Sequence, residues 1–380
     1  MKNSQASSSS LRWSRWRQQI SAGGQWVRAR KRALAAAGTL LLLGLSVGCA
    51  QIRYYAQAVQ GQSSLLLQAK PVDDWLQDPA LDPKLRTRLQ QAKTIRQFAV
   101  TELGLPQNGS YQSYVDIHRP YVLWNVVATD EFSFNPRSWC FPVAGCVSYR
   151  GYYNQADAQA FASELRGEGA DVQVSGVPAY STLGWFNDPL ISSFIQYPES
   201  ELARLMFHEL SHQLLYVAGD TRFNESFAST VEEAGLQRWL EQRGEAKLRD
   251  AYAAGKMRRK EFLALLLNTR QKLEANYASA ASIDAKRAEK ARLFAELKNE
   301  YQTLKQQWGG FAGYDRWFAE PLSNAHWVAI ANYEEFVPGF RVLLAQQGDF
   351  PHFYAAARAI GELPQPQRAQ ELRRLAGAVK

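Results

Sequence analysis

Two histidines stand four residues apart in the segment HELSH at residues 208–212, with a glutamate beside the first. Residues four apart share one face of a helix, so His208 and His212 can point imidazole nitrogens at one metal ion. Glu209 would lie about 100° around the helix from His208, beside the place of an attacking water. These residue types at this spacing predict metal-assisted hydrolysis, with Glu209 as the general base.

A third ligand is expected from the segment FNESFA, which follows after a short loop. Glu225 would lie near the start of a second helix, and two His with one Glu form a catalytic zinc set that leaves a fourth position open. Glu232 lies one heptad further on and is the alternative ligand, or an outer partner that orients a histidine. We therefore expect one Zn²⁺ per chain, bound by His208, His212 and Glu225.

Chance is the alternative explanation of this pattern, because some surface helices carry spare histidines. The chain contains only five histidines, so abundance does not explain a pair at this spacing. The surrounding helix is also apolar, as expected beneath an active site, with Leu or Met at 202, 205, 206, 210 and 214. Both observations favour a metal site over coincidence.

The sequence pattern around these residues predicts an α+β fold that is mainly helical. A helix over 198–219, capped by Gly219, would carry the histidines, and a second helix over 224–244 would carry the glutamates. From 246 to 308 the chain is rich in Ala, Leu, Lys, Glu and Arg, which predicts a long helical hairpin with a break near 279–284. Its charges are most simply a solvated face; a partner-binding arm is the alternative.

The half of the chain before the motif predicts a small β-sheet that packs on the HExxH helix. Alternating β-branched and aromatic residues over 113–136 predict two strands, and 154–174 predicts a helix, a glycine turn and a strand. The expected organisation is a signal peptide over 1–48, a tether over 49–68, a mixed α/β part with an edge strand over 69–197 and a helical zinc-site part over 198–380.

The basic charge of the chain belongs to its leader. The formal net charge is +8, but the first 48 residues contain eight of the 44 Lys and Arg residues and no Asp or Glu. The other 36 basic residues balance the 36 acidic residues. Charge therefore gives no reason to expect a nucleic-acid partner for the folded part.

This leader is typical of an export signal. RARKR at 28–32 precedes an uncharged apolar run at 33–48, which is short for a membrane-spanning helix of about 20 residues. LSVGC resembles the lipobox of bacterial lipoproteins, although Ser46 occupies the place where that pattern prefers leucine. The resemblance implies lipidation of Cys49 and, because Ala50 follows, a lipid anchor on the periplasmic side of the outer membrane. An uncleaved N-terminal anchor is the alternative.

Two further cysteines, Cys140 and Cys146, stand in CFPVAGC. A short loop that contains Pro142 and Gly145 can bring them within disulfide range, and the periplasm is oxidising. We therefore expect a disulfide, with two reduced core cysteines as the alternative. A two-cysteine metal site is disfavoured because the chain has no further thiol to complete it.

The HExxH helix followed by FNESFA resembles the gluzincin metallopeptidases, in which a glutamate on the following helix completes the zinc site. Metzincins are excluded, because Leu215 and Ala218 occupy the places of their glycine and third histidine. Segments such as SWCFPVAGCVSYRGYY and AYSTLGWFNDPL resemble the putative zinc aminopeptidase lipoproteins of Gram-negative bacteria, over nearly the whole mature chain. The resemblance implies a zinc-dependent aminopeptidase with a peptide substrate.

The resemblance to gluzincins also implies a substrate-binding edge strand encoded shortly before the metal helix. The extended segment 176–184 fits strand addition by a peptide, with Tyr180 and Trp185 as cleft residues or, alternatively, core aromatics. The chain departs from the large zinc aminopeptidases in two respects. Only twelve residues separate His212 from Glu225, and their amine-anchoring motif is not recognisable.

An oxyanion donor is expected from a later segment of a gluzincin. Tyr333 is the first candidate, with His326 and Tyr314 as alternatives. A second class of function stays open, an envelope scaffold or adaptor lipoprotein with a structural or vestigial zinc site, whose hairpin binds a protein partner. A structural zinc has four protein ligands, so three ligands beside a base favour the peptidase.

Overall fold

The computed structural model describes residues 52–141, 145–328 and 335–377. The chain divides into a unit that ends at Gln60, of which 52–60 are described and helical, and a unit Gly61–Lys380 that contains the motif residues. The predicted signal peptide and Cys49 lie outside the described residues, and so does Tyr333. None of the helices in the described ranges is long and apolar enough to cross a membrane.

Short strands build the first half of the second unit. In chain order, the described strands are β1 (Lys70–Pro71), β2 (Ser113–Val115), β3 (Leu123–Thr129), β4 (Trp139–Phe141), β5 (Gly145–Val147), β6 (Arg150–Tyr152), β7 (Asp171–Val177) and β8 (Leu190–Ile191). β3 pairs antiparallel with β6 on one side and with β7 on the other, so β7 is an edge strand of this sheet. β2 joins β1 and β8 in a second sheet, and β4 pairs with β5 in a hairpin.

Helices make up most of the remaining chain. In chain order, the helices with described bounds are α1 (Val72–Gln77), α2 (Pro83–Thr101), α3 (Gln155–Gly167), α4 (Glu199–Leu214), α5 (Thr221–Arg243), α6 (Ala246–Ala278), α7 (Ile283–Gln307), α8 (Val337–Gln347), α9 (Phe350–Gly361) and α10 (Gln365–Gly377). A single 3₁₀ turn, Asp315–Phe318, follows α7. α4 packs on α5, and α6 packs on α7.

Two apolar clusters of described residues pack helices against one another. In the larger one, Phe98 of α2 contacts Phe207 of α4 and Trp239 of α5, with ring centroids 5.8 and 5.0 Å apart. Aromatic pairs at such distances add to the free energy gained by burial, so α2 fixes the place of both motif helices. The second cluster lies in the hairpin and includes Phe262 and Leu266 of α6 with residues of α7.

The predicted mainly helical α+β fold with a long helical hairpin is confirmed. The hairpin breaks between Ala278 and Ile283, inside the predicted break. The positions of the domain boundaries stay a prediction. The edge strand is shifted, because β7 ends at Val177 and residues 178–188 form a loop instead of continuing the strand predicted over 176–184.

The first motif helix is shorter than its apolar periodicity predicts. It ends at Leu214 instead of near Gly219, and Leu215 is extended. The Asn224 side chain accepts a hydrogen bond from the Val217 N–H and donates one to the Val217 carbonyl, both at 2.8 Å. These bonds stabilise a loop conformation for Val217, so the helical ladder cannot continue to Gly219.

Candidate metal centre

α4 carries the two histidines in a fixed rotation. Leu202, Met206 and Leu210 are fully buried in the larger apolar cluster, so the helix cannot turn without exposing them. Glu199 and Glu201 lie in its first turn, where their charges complement the helix dipole. This packing directs the histidine side chains of α4 towards α5.

α5 starts at a fixed point, which sets the position of Glu225. The Asp220 carboxylate accepts a hydrogen bond from the Phe223 N–H and so caps the helix. Arg368 of α10 forms an ion pair with Asp220 at 3.1 Å, and both side chains are almost fully buried. Gly244 ends the helix in the left-handed conformation.

Three potential ligand atoms converge between α4 and α5. The Nε2 atoms of His208 and His212 lie 3.2 Å apart, and Oε2 of Glu225 lies 3.2 Å from the first and 3.7 Å from the second. Ligand atoms about 2.0–2.1 Å from a tetrahedral zinc lie about 3.4 Å from one another. The donor types and their spacing therefore fit one divalent cation, and the predicted ligand set is the one that the fold brings together.

Glu232 lies behind His208, on the side away from the three ligand atoms. Its Oε2 is 2.7 Å from His208 Nδ1, while its Oε1 accepts a hydrogen bond from Arg204 Nη1 at 2.6 Å. A carboxylate in this position fixes the tautomer and the orientation of a metal-binding histidine. Of the two roles considered for Glu232, the geometry corresponds to the outer partner and not to the alternative ligand.

The buried charges of this region are unbalanced towards negative. Glu209, Glu225 and Glu232 contribute three carboxylates, and Arg204 contributes one guanidinium. Burial lowers the pKa of His208, but hydrogen bonds to Glu225 and Glu232 outweigh burial and raise this pKa to about 10. Burial lowers the pKa of His212 to about 4. A cluster that holds a proton so tightly on one ring is electrostatically suited to a cation.

Glu209 lines a cavity together with His208. Its carboxylate forms no hydrogen bond with the described residues. Burial raises the pKa of Glu209 to about 7; the charge of His208 opposes this shift, and the carboxylates of Glu225 and Asp188 add to it. A carboxylate that exchanges its proton near neutral pH is suited to general acid and base catalysis.

The cavity next to Glu209 has a volume of about 440 Å³. Val177, Pro178 and Ala179 line it where β7 ends, so the edge strand leads into the cavity. Side chains of the α6 part of the hairpin line it as well. The hairpin therefore does more than present a solvated face, since one side of it closes the space above α4.

The three candidates for the oxyanion donor lie in different parts of the chain. Tyr333, the first candidate, lies outside the described residues. His326 and Tyr314 both line the cavity, and Nδ1 of His326 lies 3.1 Å from the Ser323 N–H, which fixes the ring. Of the two aromatics considered for the cleft, Tyr180 instead meets Tyr153 through their hydroxyl groups at 2.5 Å.

Trp185 lies on an exposed loop tip instead of in the cavity lining. Its side chain is 70% exposed, and the neighbouring Phe186 is 50% exposed. Asp188 anchors this loop, because its carboxylate accepts hydrogen bonds from the Thr182 N–H and hydroxyl and from Gln213, the residue after His212.

Cys140 and Cys146 form a disulfide that closes the β4–β5 hairpin. This hairpin approaches the loop that joins α4 to α5. Gly145 has a φ of +72°, and a Cβ atom there would lie 2.6 Å from the backbone nitrogen of Gly219, so only glycine fits. The cross-linked hairpin thus packs against the segment that sets the spacing between the histidines and Glu225.

Comparison with known families gives one result. The family model described as "Putative aminopeptidase" matches residues 53–372, which is most of the chain. The chain belongs to the putative aminopeptidase family. Membership of this family indicates hydrolysis and a peptide substrate. Neither the curated proteins nor the solved structures contain a match.

Sequence reasoning missed two parts of this aminopeptidase-family site. Arg204, which holds Glu232, precedes His208 by four residues, so the helical spacing that paired the histidines also marks this arginine. The cavity residues of the hairpin carry no such local signal, because their place above α4 depends on how distant helices pack.

Proposed function

We propose that this protein is a zinc-dependent peptidase that removes amino-terminal residues from peptides. One observation carries the proposal: the ligand atoms of His208, His212 and Glu225 converge near Glu209, whose carboxylate lines a cavity and forms no hydrogen bond with the described residues. Membership of the aminopeptidase family supports a peptide substrate and supports hydrolysis.

Zinc held by these three residues would supply a Lewis acid that polarises the substrate carbonyl and acidifies water. Glu209 would accept the proton of the attacking water and deliver it to the leaving amine. Burial raises the pKa of Glu209 above its ordinary value, which favours the uptake of a proton by this carboxylate. Glu232, held by Arg204, would keep the His208 ring in the binding orientation.

The substrate backbone would pair with the free edge of β7 and enter the cavity past Ala179. No further strand pairs with β7 on this side among the described residues, so a peptide could add there, and strand addition would give affinity without reading side chains. His326, Tyr314 and Tyr333 remain the proposed donors to the developing oxyanion, with Tyr333 first.

Replacement of Glu209 by Gln tests the function. The variant should keep its zinc, since Glu209 is not a ligand, and should lose about 10²- to 10⁴-fold in kcat for peptide hydrolysis. Glu233→Gln is a matched control, because Glu233 pairs with Arg341 of α8, lies outside the cavity lining and should leave kcat unchanged. Full hydrolysis by Glu209→Gln would overturn the proposal.

The scaffold alternative predicts the reverse result, in which Glu209→Gln preserves function and removal of the hairpin does not. We also keep the proposal that Cys49 is lipidated and anchors the protein on the periplasmic side of the outer membrane. Labelling of cells with a radioactive fatty acid should mark the parent protein and should fail to mark Cys49→Ala. Equal labelling of both proteins would contradict the anchor.

A further inference from the structure

We propose that the cavity beside Glu209 accepts a large apolar side chain of the peptide substrate, and that Leu263 of α6 sets this preference. The inference rests on the proposed peptidase function and adds the class of residue that the site selects.

The position of the cavity ties it to the reaction. Its lining includes His208 and Glu209 on one side and the end of β7 on the other. A peptide that lies along β7 would therefore place one side chain in this space while its backbone reaches the metal centre. A volume of about 440 Å³ falls within the roughly 300–1,000 Å³ of small-ligand sites.

The wall of the cavity that faces α4 is apolar and preformed. We call this surface the aromatic wall; its residues are Phe262, Leu263, Leu266, Tyr314 and Trp317. Tyr314 stacks on Phe262 with ring centroids 4.0 Å apart, and Trp317 meets Phe262 edge to face at 5.7 Å. Phe262 and Leu266 are buried in the hairpin cluster, so the wall keeps its shape without a ligand.

The two arginines of the cavity lining are not placed to bind an acidic side chain of a substrate. The guanidinium of Arg204 is already paired with Glu201 at 3.0 Å and with Glu232 at 2.6 Å. Arg259 also belongs to the lining, and its side chain is exposed, so it lies on the solvent side. A charged substrate group would leave water for the aromatic wall, whereas an apolar group gains free energy by the same transfer.

Leu263 is the best residue for a test, because it lies in the wall but is only partly buried. Leu263→Trp should fill the cavity while Phe262 and Leu266 keep the hairpin core intact. Leu267→Trp is the matched control: the same replacement one helical turn further along α6, at a side chain that is 48% exposed and outside the cavity lining.

The experiment uses the zinc-loaded protein and pentapeptides of glycine in which a single leucine occupies each position in turn. At one position, leucine should raise kcat/KM at least about tenfold over the all-glycine peptide, as expected for apolar side chains in a fitted pocket. Leu263→Trp should reduce this preference, taken as the ratio of the two kcat/KM values in the same variant, below about threefold. Leu267→Trp should keep the parent preference.

Two results would overturn the inference while leaving the peptidase in place. One is cleavage of the peptides with no advantage for leucine at any position. The other is an unchanged leucine preference in Leu263→Trp, with zinc content and circular dichroism like those of the parent. If Leu263→Trp does not fold, Leu263→Gln has nearly the same size and should lower the preference by placing an amide against the aromatic wall.

Absence of any cleavage would count against the peptidase function. Binding of the peptides then tests whether the cavity accepts an apolar side chain. Calorimetry with the zinc-loaded Glu209→Gln protein compares the leucine peptides with the all-glycine peptide. Binding at least about tenfold stronger for one leucine peptide, lost when Leu263→Trp is added, supports the cavity assignment. Equal binding of all the peptides overturns it.

Discussion

The two histidines of the metal centre lie one helical turn apart but are supported differently. Behind His208, Nδ1 meets the carboxylate of Glu232, which in turn is held by Arg204. Behind His212, Nδ1 is buried and has no hydrogen-bond partner among the described residues. The His212 ring meets the Tyr216 ring edge to face, at 6.4 Å between centroids.

This difference separates two ways of orienting a ligand. The His208 ring is fixed by a chain of charged hydrogen bonds that also raises its basicity. The Nδ1 side of the His212 ring has no such partner among the described residues, and the ring lies near the end of α4, where the helix stops at Leu214. We therefore expect the affinity of the site for zinc to depend strongly on the surroundings of His208 and weakly on those of His212.

Removal of either histidine ring should cause the largest loss of bound zinc. The loss should be the same for both histidines. His208→Ala and His212→Ala each delete one of the three proposed ligands, so both should reduce bound zinc to below about a tenth per chain under conditions that saturate the parent. Elemental analysis after gel filtration measures this. Retention of zinc by one variant would show that its histidine is not a ligand.

Glu232→Gln should show how much the affinity for zinc depends on the hydrogen bond behind His208. The amide keeps the shape of the carboxylate but not its charge, and loss of an outer partner of this kind costs about 10- to 100-fold in metal affinity. Competition with a chromophoric chelator gives the dissociation constant. The matched control is Tyr216→Leu, on the His212 side, which should change the affinity less than about threefold. Equal losses of zinc affinity in the two variants would contradict the expected difference between His208 and His212.

Arg204→Met should have a smaller effect of the same kind. Burial raises the pKa of Glu232, but Arg204 and His208 outweigh burial and hold that pKa at about 2. Without the arginine the carboxylate is a weaker acceptor for His208, so zinc affinity should fall by less than about tenfold. Arg341→Met removes a comparable pair with Glu233 and should leave the affinity unchanged.

Local spacing explains how much of the site the sequence could predict. His208, His212 and Glu209 are related by one turn of a helix, and Glu225 needs only a short loop and a helix start. The role of Glu232 could not be decided, because a heptad places it on the same face as Glu225. Arg204 holds the Glu232 carboxylate behind His208, which makes Glu232 an outer partner. The four-residue spacing between Arg204 and His208 places both side chains on one face of α4.

Long-range packing explains what the sequence could not predict. The sequence around Leu263 on α6 has the composition of an ordinary charged helix. No local pattern in it indicates which face lines a cavity. The early end of α4 depended on Asn224, seven residues after Val217, which binds the backbone of the loop. The mainly helical fold and the hairpin were predictable because they rest on local helical patterns.

Zinc content tests the central claim most directly. The parent, Glu209→Gln and Glu225→Ala proteins, each without the leader, would be loaded with zinc, separated from free metal and measured by elemental analysis. We predict about one zinc per chain in the parent and in Glu209→Gln, and almost none in Glu225→Ala, with hydrolysis only by the parent. No zinc in the parent, or equal zinc in Glu225→Ala, would contradict it.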